Sequence, residues 1–383
     1  MSNELESVEV AIIGGGSTGL MTAYYLAKEG VKDIHVFEEK YLGFGSTGRC
    51  AGGVRASFAS EVHIKLMKES ISRWLSLREE ISGLEFVQDG YLWLLTTEEL
   101  VEFHKKLSAY QNSLGVPTRM LSRDEIKDLV PIELNDVIAA LHDPMAGKAS
   151  PLKFLGSVRK KLKELGVNIH EYTSVTNVRV SGDKARSIVI NNTKEIQVSG
   201  HVVIAAGVWS KDLLKRLNVK IPLKKDPHHL LVTEKYVQFL KPLVIHKETG
   251  SYLVQHETGS LLIGTEFPVP EEDMTLRYGY LKKAVTIMSK YFPQILGTNL
   301  LRVWIGYYEV TPDHHPIVGR VPSVDNLLIA TGFSGHGYMM APIVGEELKN
   351  IILENNPKIP ETKELRLERF EEGKLLKESA IFG

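Results

Sequence analysis

Val8-Glu9-Val10-Ala11-Ile12-Ile13-Gly14-Gly15-Gly16-Ser17-Thr18-Gly19 is the stretch that decides the fold. Its opening run is short, apolar and β-branched, and reads as a buried strand. An apolar helix follows from about Thr18 to Lys28, and Ile34 to Glu38 reads as a second strand. Strand, glycine turn, helix and strand in this order open a doubly wound sheet. Gly14 permits the tight bend, Gly16 lets backbone approach a pyrophosphate, and Gly19 lets helix and strand pack closely. The helix start, with Ser17 and Thr18, offers unpaired N–H groups and a partial positive charge to phosphate. Glu38, followed by Glu39, ends the second strand, where a carboxylate accepts hydrogen bonds from a ribose 2′-hydroxyl. An acid there speaks against a 2′-phosphate. The turn is expected to bind a dinucleotide; the alternative is a glycine turn that serves only helix–strand packing.

The bulk properties exclude other classes. Lys+Arg 46 against Asp+Glu 47 leaves a net charge of −1, so no field recruits nucleic acid or an anionic membrane. With 383 residues, 43% of them apolar, the chain can bury a large core. Cys50 is the sole cysteine, which excludes an internal disulfide and a CxxC metal site and suggests a reducing cytoplasm. The acidic, polar start from Met1 to Glu6 does not resemble a signal peptide. The apolar run Ala11 to Ala27 is interrupted by glycines, Ser17 and Thr18, so no transmembrane helix is expected.

Beyond the opening unit, helices are expected over Glu61 to Ile81, Thr97 to Leu114, Pro151 to Leu165, Leu281 to Tyr291 and Pro342 to Ile352. Strands are expected at Gly90 to Leu95, Asn168 to Tyr172, Val175 to Val180, Ala185 to Asn191, Lys194 to Val198, His201 to Ala206 and Asn326 to Ala330. A β-rich region spans Leu223 to Phe267. The fold class is mixed α/β: a Rossmann-type nucleotide-binding domain interleaved with a sheet-rich substrate domain. The first is assigned 1–85, 145–222 and 300–383, the second 86–144 and 223–299.

Further phosphate-type chemistry follows the ribose acid. Gly43-Phe44-Gly45-Ser46-Thr47-Gly48-Arg49-Cys50-Ala51-Gly52-Gly53-Val54-Arg55 places small hydroxyl residues among glycines, with Arg49 able to neutralise phosphate. An NAD dehydrogenase needs no such second segment. Here the chain resembles the D-amino-acid-oxidase-type FAD-dependent oxidoreductases, particularly the branch of sarcosine oxidase β-subunits and dye-linked L-proline dehydrogenase β-subunits. The resemblance continues through His201 to Ser210, which contains Ala206, Gly207 and Trp209 of a second FAD-contacting turn. It includes Trp304-Ile305-Gly306-Tyr307-Tyr308-Glu309-Val310-Thr311-Pro312-Asp313, similar to the family's TPD motif. It ends with Gly332-Phe333-Ser334-Gly335-His336-Gly337-Tyr338-Met339, the turn that closes over the flavin. It implies FAD bound through Ser46, Thr47, Arg49, Cys50, Gly52, Gly53 and these later turns, with Val175 against the adenine. Gly306 stands where some relatives carry a tethering cysteine, so the FAD is expected to be non-covalent. Gly147 to Pro151 resembles a segment after which some sarcosine oxidase β-subunits attach FMN through histidine. Proline replaces that histidine, and an FMN at a subunit interface would be held without the bond.

A flavin carries the redox step, so the protein must present one substrate C–H bond to it. Family carboxylate anchors are missing, because Met339 and Tyr308 occupy their places. The remaining candidates are Arg55, which can hold a carboxylate or form a structural ion pair, and His228 or His229, which can take the amine proton. Tyr252 and Tyr308 can donate to the ligand or simply pack in the core. Adjacent His314 and His315 point apart with no carboxylate set around them, so no metal is expected. The resemblance implies oxidation of the C–N bond of a secondary amino acid such as L-proline or a sarcosine-like compound. Electrons would pass to a partner subunit or quinone-like acceptor. Alternatives are a 2-hydroxy-acid or polyol-phosphate dehydrogenase, or a flavin-carrying electron-transfer subunit.

Overall fold

The computed structural model describes residues 5–378, and two large sheets organise them. The first runs, in spatial order, Ile317–Val321, Val324–Thr331, Lys194–Ile204, Ser7–Ile13, Ile34–Phe37 and Asn168–His170. Ser7–Ile13 is parallel to both neighbours, as a doubly wound sheet requires. The antiparallel strands Val175–Ser181 and Lys184–Ile190 branch from Lys194–Ile204. The helices Ser17–Lys28 and Gly337–Glu354 pack against each other, and a Cβ at Gly345 would sit 2.7 Å from Met21 C. Their apolar faces join Val10, Ile12, Val36, Val203 and Leu328 in one core.

Lys194–Ile204 is one continuous strand rather than the expected pair. Its first half pairs antiparallel with Lys184–Ile190 and its second half parallel with Ser7–Ile13, so it belongs to both ladders. The polar Ser199-Gly200 resembles a break for a different reason. The ladder is irregular beside Glu9, and a Cβ at Gly200 would lie 2.6 Å from Glu9 O. Glycine is the residue that fits there.

The second sheet runs Leu300–Val310, Lys224–Lys235, Ser260–Gly264, Ser251–Gln255, Leu243–His246, Tyr91–Leu95, Ala139–Asp143 and Arg119–Leu121. Leu300–Val310, which the expected boundary at 300 groups with the nucleotide-binding segments, is its edge strand and pairs along its length with Lys224–Lys235. One face packs on the helix Tyr278–Tyr291 through Leu231, Ile263, Tyr280 and Met288. The opposite face turns Trp93, Ile245, Tyr252, Leu230 and Trp304 toward the first sheet, because these residues lie on one cross-strand row. The two sheets are wound from alternating segments of chain, and the space between them is the functional cleft.

The last helix starts at Gly337, before the expected Pro342. Proline lacks the N–H that would reach the Tyr338 carbonyl. The neighbouring Met339 carbonyl accepts from Ser70 Oγ at 2.6 Å and Trp74 Nε1 at 3.1 Å, which ties the turn to the helix Glu61–Glu80.

Candidate active site

A cleft of about 490 Å³ runs between the sheets, from Glu38, Glu39, Val175 and Thr176 at one end to His228, Tyr252 and Tyr308 at the other. The glycine turn forms its waist. Gly14 has φ +113°, and a Cβ there would lie 2.3 Å from Ala205 O, so only glycine lets the first strand end against the turn after Ile204. A Cβ at Gly19 would meet Gly14 O at 2.1 Å, which accounts for the third glycine although it does not touch the cleft. Gly16 precedes the helix Ser17–Lys28 without capping it by a side chain. Gly16, Ser17 and Thr18 line the cleft, bringing the positive end of the helix to it. Thr47 Oγ1 accepts from Ser17 N at 3.0 Å and fixes the second glycine-rich segment against the first.

At the first of these ends, Glu38 accepts from Gly15 N and Lys40 N, each at 2.9 Å. Burial raises its carboxyl above the ordinary value, against the lowering effect of those two amides. Glu39 accepts from Ser174 Oγ at 3.4 Å beside Val175. In the middle stand Ala206, Gly207, Trp209, Ser46, Arg49 and Cys50. Ser46 Oγ donates to Tyr307 O at 2.7 Å, and Arg49 Nη1 donates to Gly45 O at 3.0 Å. Burial pushes the Cys50 thiol up to about 12. The cleft is elongated, carries a carboxylate at one end and the N-terminus of a helix at its centre, and therefore suits an extended dinucleotide.

At the far end Gly306, Tyr307, Tyr308, Glu309, Phe333, Gly335, Gly337 and Tyr338 surround His228, His229 and Tyr252. His228 Nε2 lies 2.9 Å from Asp226 Oδ2, and its ring stacks on Tyr308 with centroids 3.9 Å apart and planes 20° apart. Strand alternation turns His229 the other way, onto Tyr280 at 4.7 Å. Burial pushes the phenols of Tyr252 and Tyr308 well above their usual range, so both are hydrogen-bond donors at any working pH. Room is made by glycine: a Cβ at Gly335 would lie 2.5 Å from the Tyr308 ring, and one at Gly264 2.1 Å from that of Tyr252.

Among the described residues that line the cleft, Arg55, Gly52, Gly53, His336 and Met339 are missing. Gly52 and Gly53 answer to packing: Cβ atoms there would lie 2.2 Å from Ala149 O and 1.7 Å from Tyr91 Oη. Arg55 is buried, donates to Ser57 O at 2.7 Å and lies over the rings of Phe58 at 3.7 Å and Trp93 at 5.0 Å. Its Nη2 is 3.4 Å from His336 Nε2. Burial lowers the guanidinium only to about 10, so Arg55 is a cation at neutral pH. Lys247, unremarked in the sequence, is brought down to about 7 by burial first and by the charge of Arg55 next.

His315, though not His314, meets a carboxylate after all. His63, His315 and Glu378 bring one ligand-type atom each within 4.8 Å of the others. Glu378 arrives from the C-terminal segment, far along the chain, where sequence proximity gives no warning. Its oxygens accept from Ala59 N, Ser60 N and His63 Nδ1, while His315 Nδ1 faces Asp313 O and Nε2 faces Ser60 Oγ. His63 Nδ1 and both His315 nitrogens are thus engaged, His63 Nε2 is buried without a hydrogen bond, and the His63 and His315 rings stack at 4.0 Å. Gly147-Lys148, near the expected FMN segment, pairs with Gly53–Val54, and Lys148 Nζ donates to Lys241 O at 2.8 Å.

Residues 9–351 match the family described as FAD dependent oxidoreductase. The chain belongs to this family. The cofactor is therefore FAD, and the glycine turn, Glu38 and the closing turn of this flavoprotein fit it. The flavoprotein is 25% identical to sarcosine oxidase subunit beta of Rhodobacter capsulatus, over 98% of this chain and 91% of that one. Among solved structures it resembles L-proline dehydrogenase from P. horikoshii, with TM-score 0.92 and 34% identity over 97% of this chain and 100% of the other. Glycine oxidase from Geobacillus kaustophilus shares the fold, with TM-score 0.87 at 23% identity over 95% and 99% of the two chains. No helix among the described residues is long and apolar enough to cross a membrane.

Two residues escaped the sequence reading, Asp226 behind the lining His228 and Glu309 in the cleft wall. Asp226 stands two positions before His228 on one strand, a spacing that places both on one face and was there to be used. Glu309 precedes the TPD motif, and nothing in the sequence separates it from a solvent-facing strand carboxylate.

Proposed function

We propose that this flavoprotein oxidises the C–N bond of a small secondary amino acid, L-proline or a sarcosine-like compound. The carrying observation is the imidazole of His228 at the flavin end of the cleft, held by Asp226 and stacked on Tyr308. The named activities of the similar proteins, sarcosine oxidase and L-proline dehydrogenase, support the substrate class. FAD bound in the cleft supplies the hydride acceptor.

The substrate nitrogen must be neutral before its α-hydrogen leaves as hydride, because a protonated amine has no lone pair to stabilise the forming C=N bond. Neutral His228 accepts that proton, and the carboxylate of Asp226 favours the resulting imidazolium. Tyr252 and Tyr308 donate hydrogen bonds that orient the ligand. Arg55, over the ring of Trp93, places cationic charge behind the Tyr252 end of the cleft and attracts the substrate carboxylate toward it. Leu230, Trp304 and Ala51 exclude water on the sheet side. The relative's name as a β-subunit supports a partner chain, with electrons leaving to that partner or to a quinone-like acceptor rather than to oxygen. We place the protein in the cytoplasm.

The test is anaerobic addition of L-proline, sarcosine, D-amino acids and 2-hydroxy acids to the purified yellow protein. Rapid bleaching by proline or sarcosine is expected. Bleaching by 2-hydroxy acids alone, or by none of these compounds, overturns the proposal.

A further inference from the structure

We infer that Glu309 is a proton-binding group in the wall of the cofactor cleft, which takes up a proton when the bound cofactor is reduced. Glu309 lies on the edge strand Leu300–Val310, lines the cleft and is buried. It sits between two glycine turns: a Cβ on Gly207 would come within 3.6 Å of its Oε2, and Thr331 precedes the closing turn.

The hydrogen bonding around it is one bond fuller in the protonated state than in the ionised one. Thr331 Oγ1 lies 2.8 Å from Glu309 Oε2 and also 2.9 Å from Gly207 O. A hydroxyl has one proton. If the carboxylate is ionised, that proton goes to Glu309 and the Gly207 carbonyl keeps only the Ser210 amide. If the carboxyl is protonated, it donates to Thr331 Oγ1, the hydroxyl donates to Gly207 O, and every group is satisfied. Rotation of one hydroxyl thus exchanges two arrangements. Burial raises Glu309 to about 7 against the lowering effect of Thr331 and the amides of Gly332 and Phe333.

No cation holds the charge. Lys225, opposite Glu309 in the ladder, sends its Nζ to Glu272 at 3.2 Å. On the same strand Asp226 and His228 bond each other. Arg49 donates to Gly45 O and Arg216 to Thr176 O, while Asp212 adds only like charge to the cleft. Beyond the closing turn, Arg55 lies against His336. Glu309 has no ionic partner among the described residues. Added negative charge in the cleft therefore favours protonation. The substrate's hydride carries both electrons to the cofactor. At Glu309 one O–H bond forms, with a proton drawn from solvent, and no carbon bond changes.

The inference rests on FAD occupying this cleft. The test counts protons taken up per two electrons when the flavin-loaded protein is reduced electrochemically in weakly buffered solution near pH 8. Wild type is expected to take up nearly one proton more than E309Q. Equal counts in wild type and E309Q overturn the inference. Should E309Q fail to retain flavin, the reduced-minus-oxidised infrared difference of wild type decides. A protonated-carboxyl band that shifts in D₂O is expected on reduction, and its absence overturns the inference. Failure of the FAD assignment would show separately, as a reconstituted wild type without a flavin spectrum.

Discussion

Replacing Asp226 by asparagine removes a charge from beside His228 while leaving a side chain of the same size. The two are 2.9 Å apart, with the histidine 20% and the aspartate 50% exposed. At charge separations near 4 Å and an effective dielectric of 20 the attraction is about 4 kcal/mol. Half of the aspartate faces water, and exposed pairs deliver far less, so we take about 1 kcal/mol. That corresponds to roughly a fivefold change in rate. The sign follows from the role: the carboxylate orients the imidazole and offsets the charge it gains with the amine proton, so losing it slows that step. In D226N kcat/KM for the amino acid should therefore fall about fivefold, with KM little changed. The assay is steady-state kinetics with an artificial dye as acceptor, run beside H228Q, which should lose more. An unchanged kcat/KM in D226N, or wild-type activity in H228Q, would refute the assignment of His228 as base.

Three further outcomes follow from contacts. G53A should lose about 1–3 kcal/mol by overpacking against Tyr91 Oη. Adding Y91F removes that oxygen and should restore much of the loss in thermal unfolding, which no remote effect would do. Asp313 accepts from Arg369 Nε at 2.8 Å and Nη2 at 3.0 Å, with both side chains buried. Burial raises the Asp313 carboxyl, but the Arg369 hydrogen bonds and charge win and hold it below the usual range. A depressed folded-state value stabilises above the unfolded pKa of about 4 and is lost as pH falls through the folded one. R369M should thus cost about 3–5 kcal/mol at pH 7 in denaturant unfolding, with the gap from wild type narrowing in acid. G14A should abolish FAD retention, read as the flavin absorbance of purified protein, because its Cβ has no room at φ +113°.

The parts of the fold that were legible are local ones. The opening strand, turn and helix, and Glu38 at the end of the next strand, follow from spacing within a few dozen residues. The glycines of the closing turn were legible for the same reason. Long-range pairing was not. Leu300–Val310 carries the TPD-type motif yet belongs to the other sheet, because its partner Lys224–Lys235 lies far back in the chain. Nor does a run of glycines say which approach each one serves. Gly14 and Gly335 make room at the cleft, whereas Gly53 makes room for Tyr91. Arg55 follows that run but points behind the cleft into Phe58 and Trp93, a direction fixed by tertiary packing.

Gly14 finds its seat only against Ala205, and the opposite wall of the same cleft comes from the strand Val324–Thr331 and the turn after it. A nascent chain still on the ribosome, with its first strand and helix already emerged, holds just one lip of this pocket. Coenzyme capture must then await release of nearly the entire polypeptide, so vitamin supply bears on maturation after translation rather than during it.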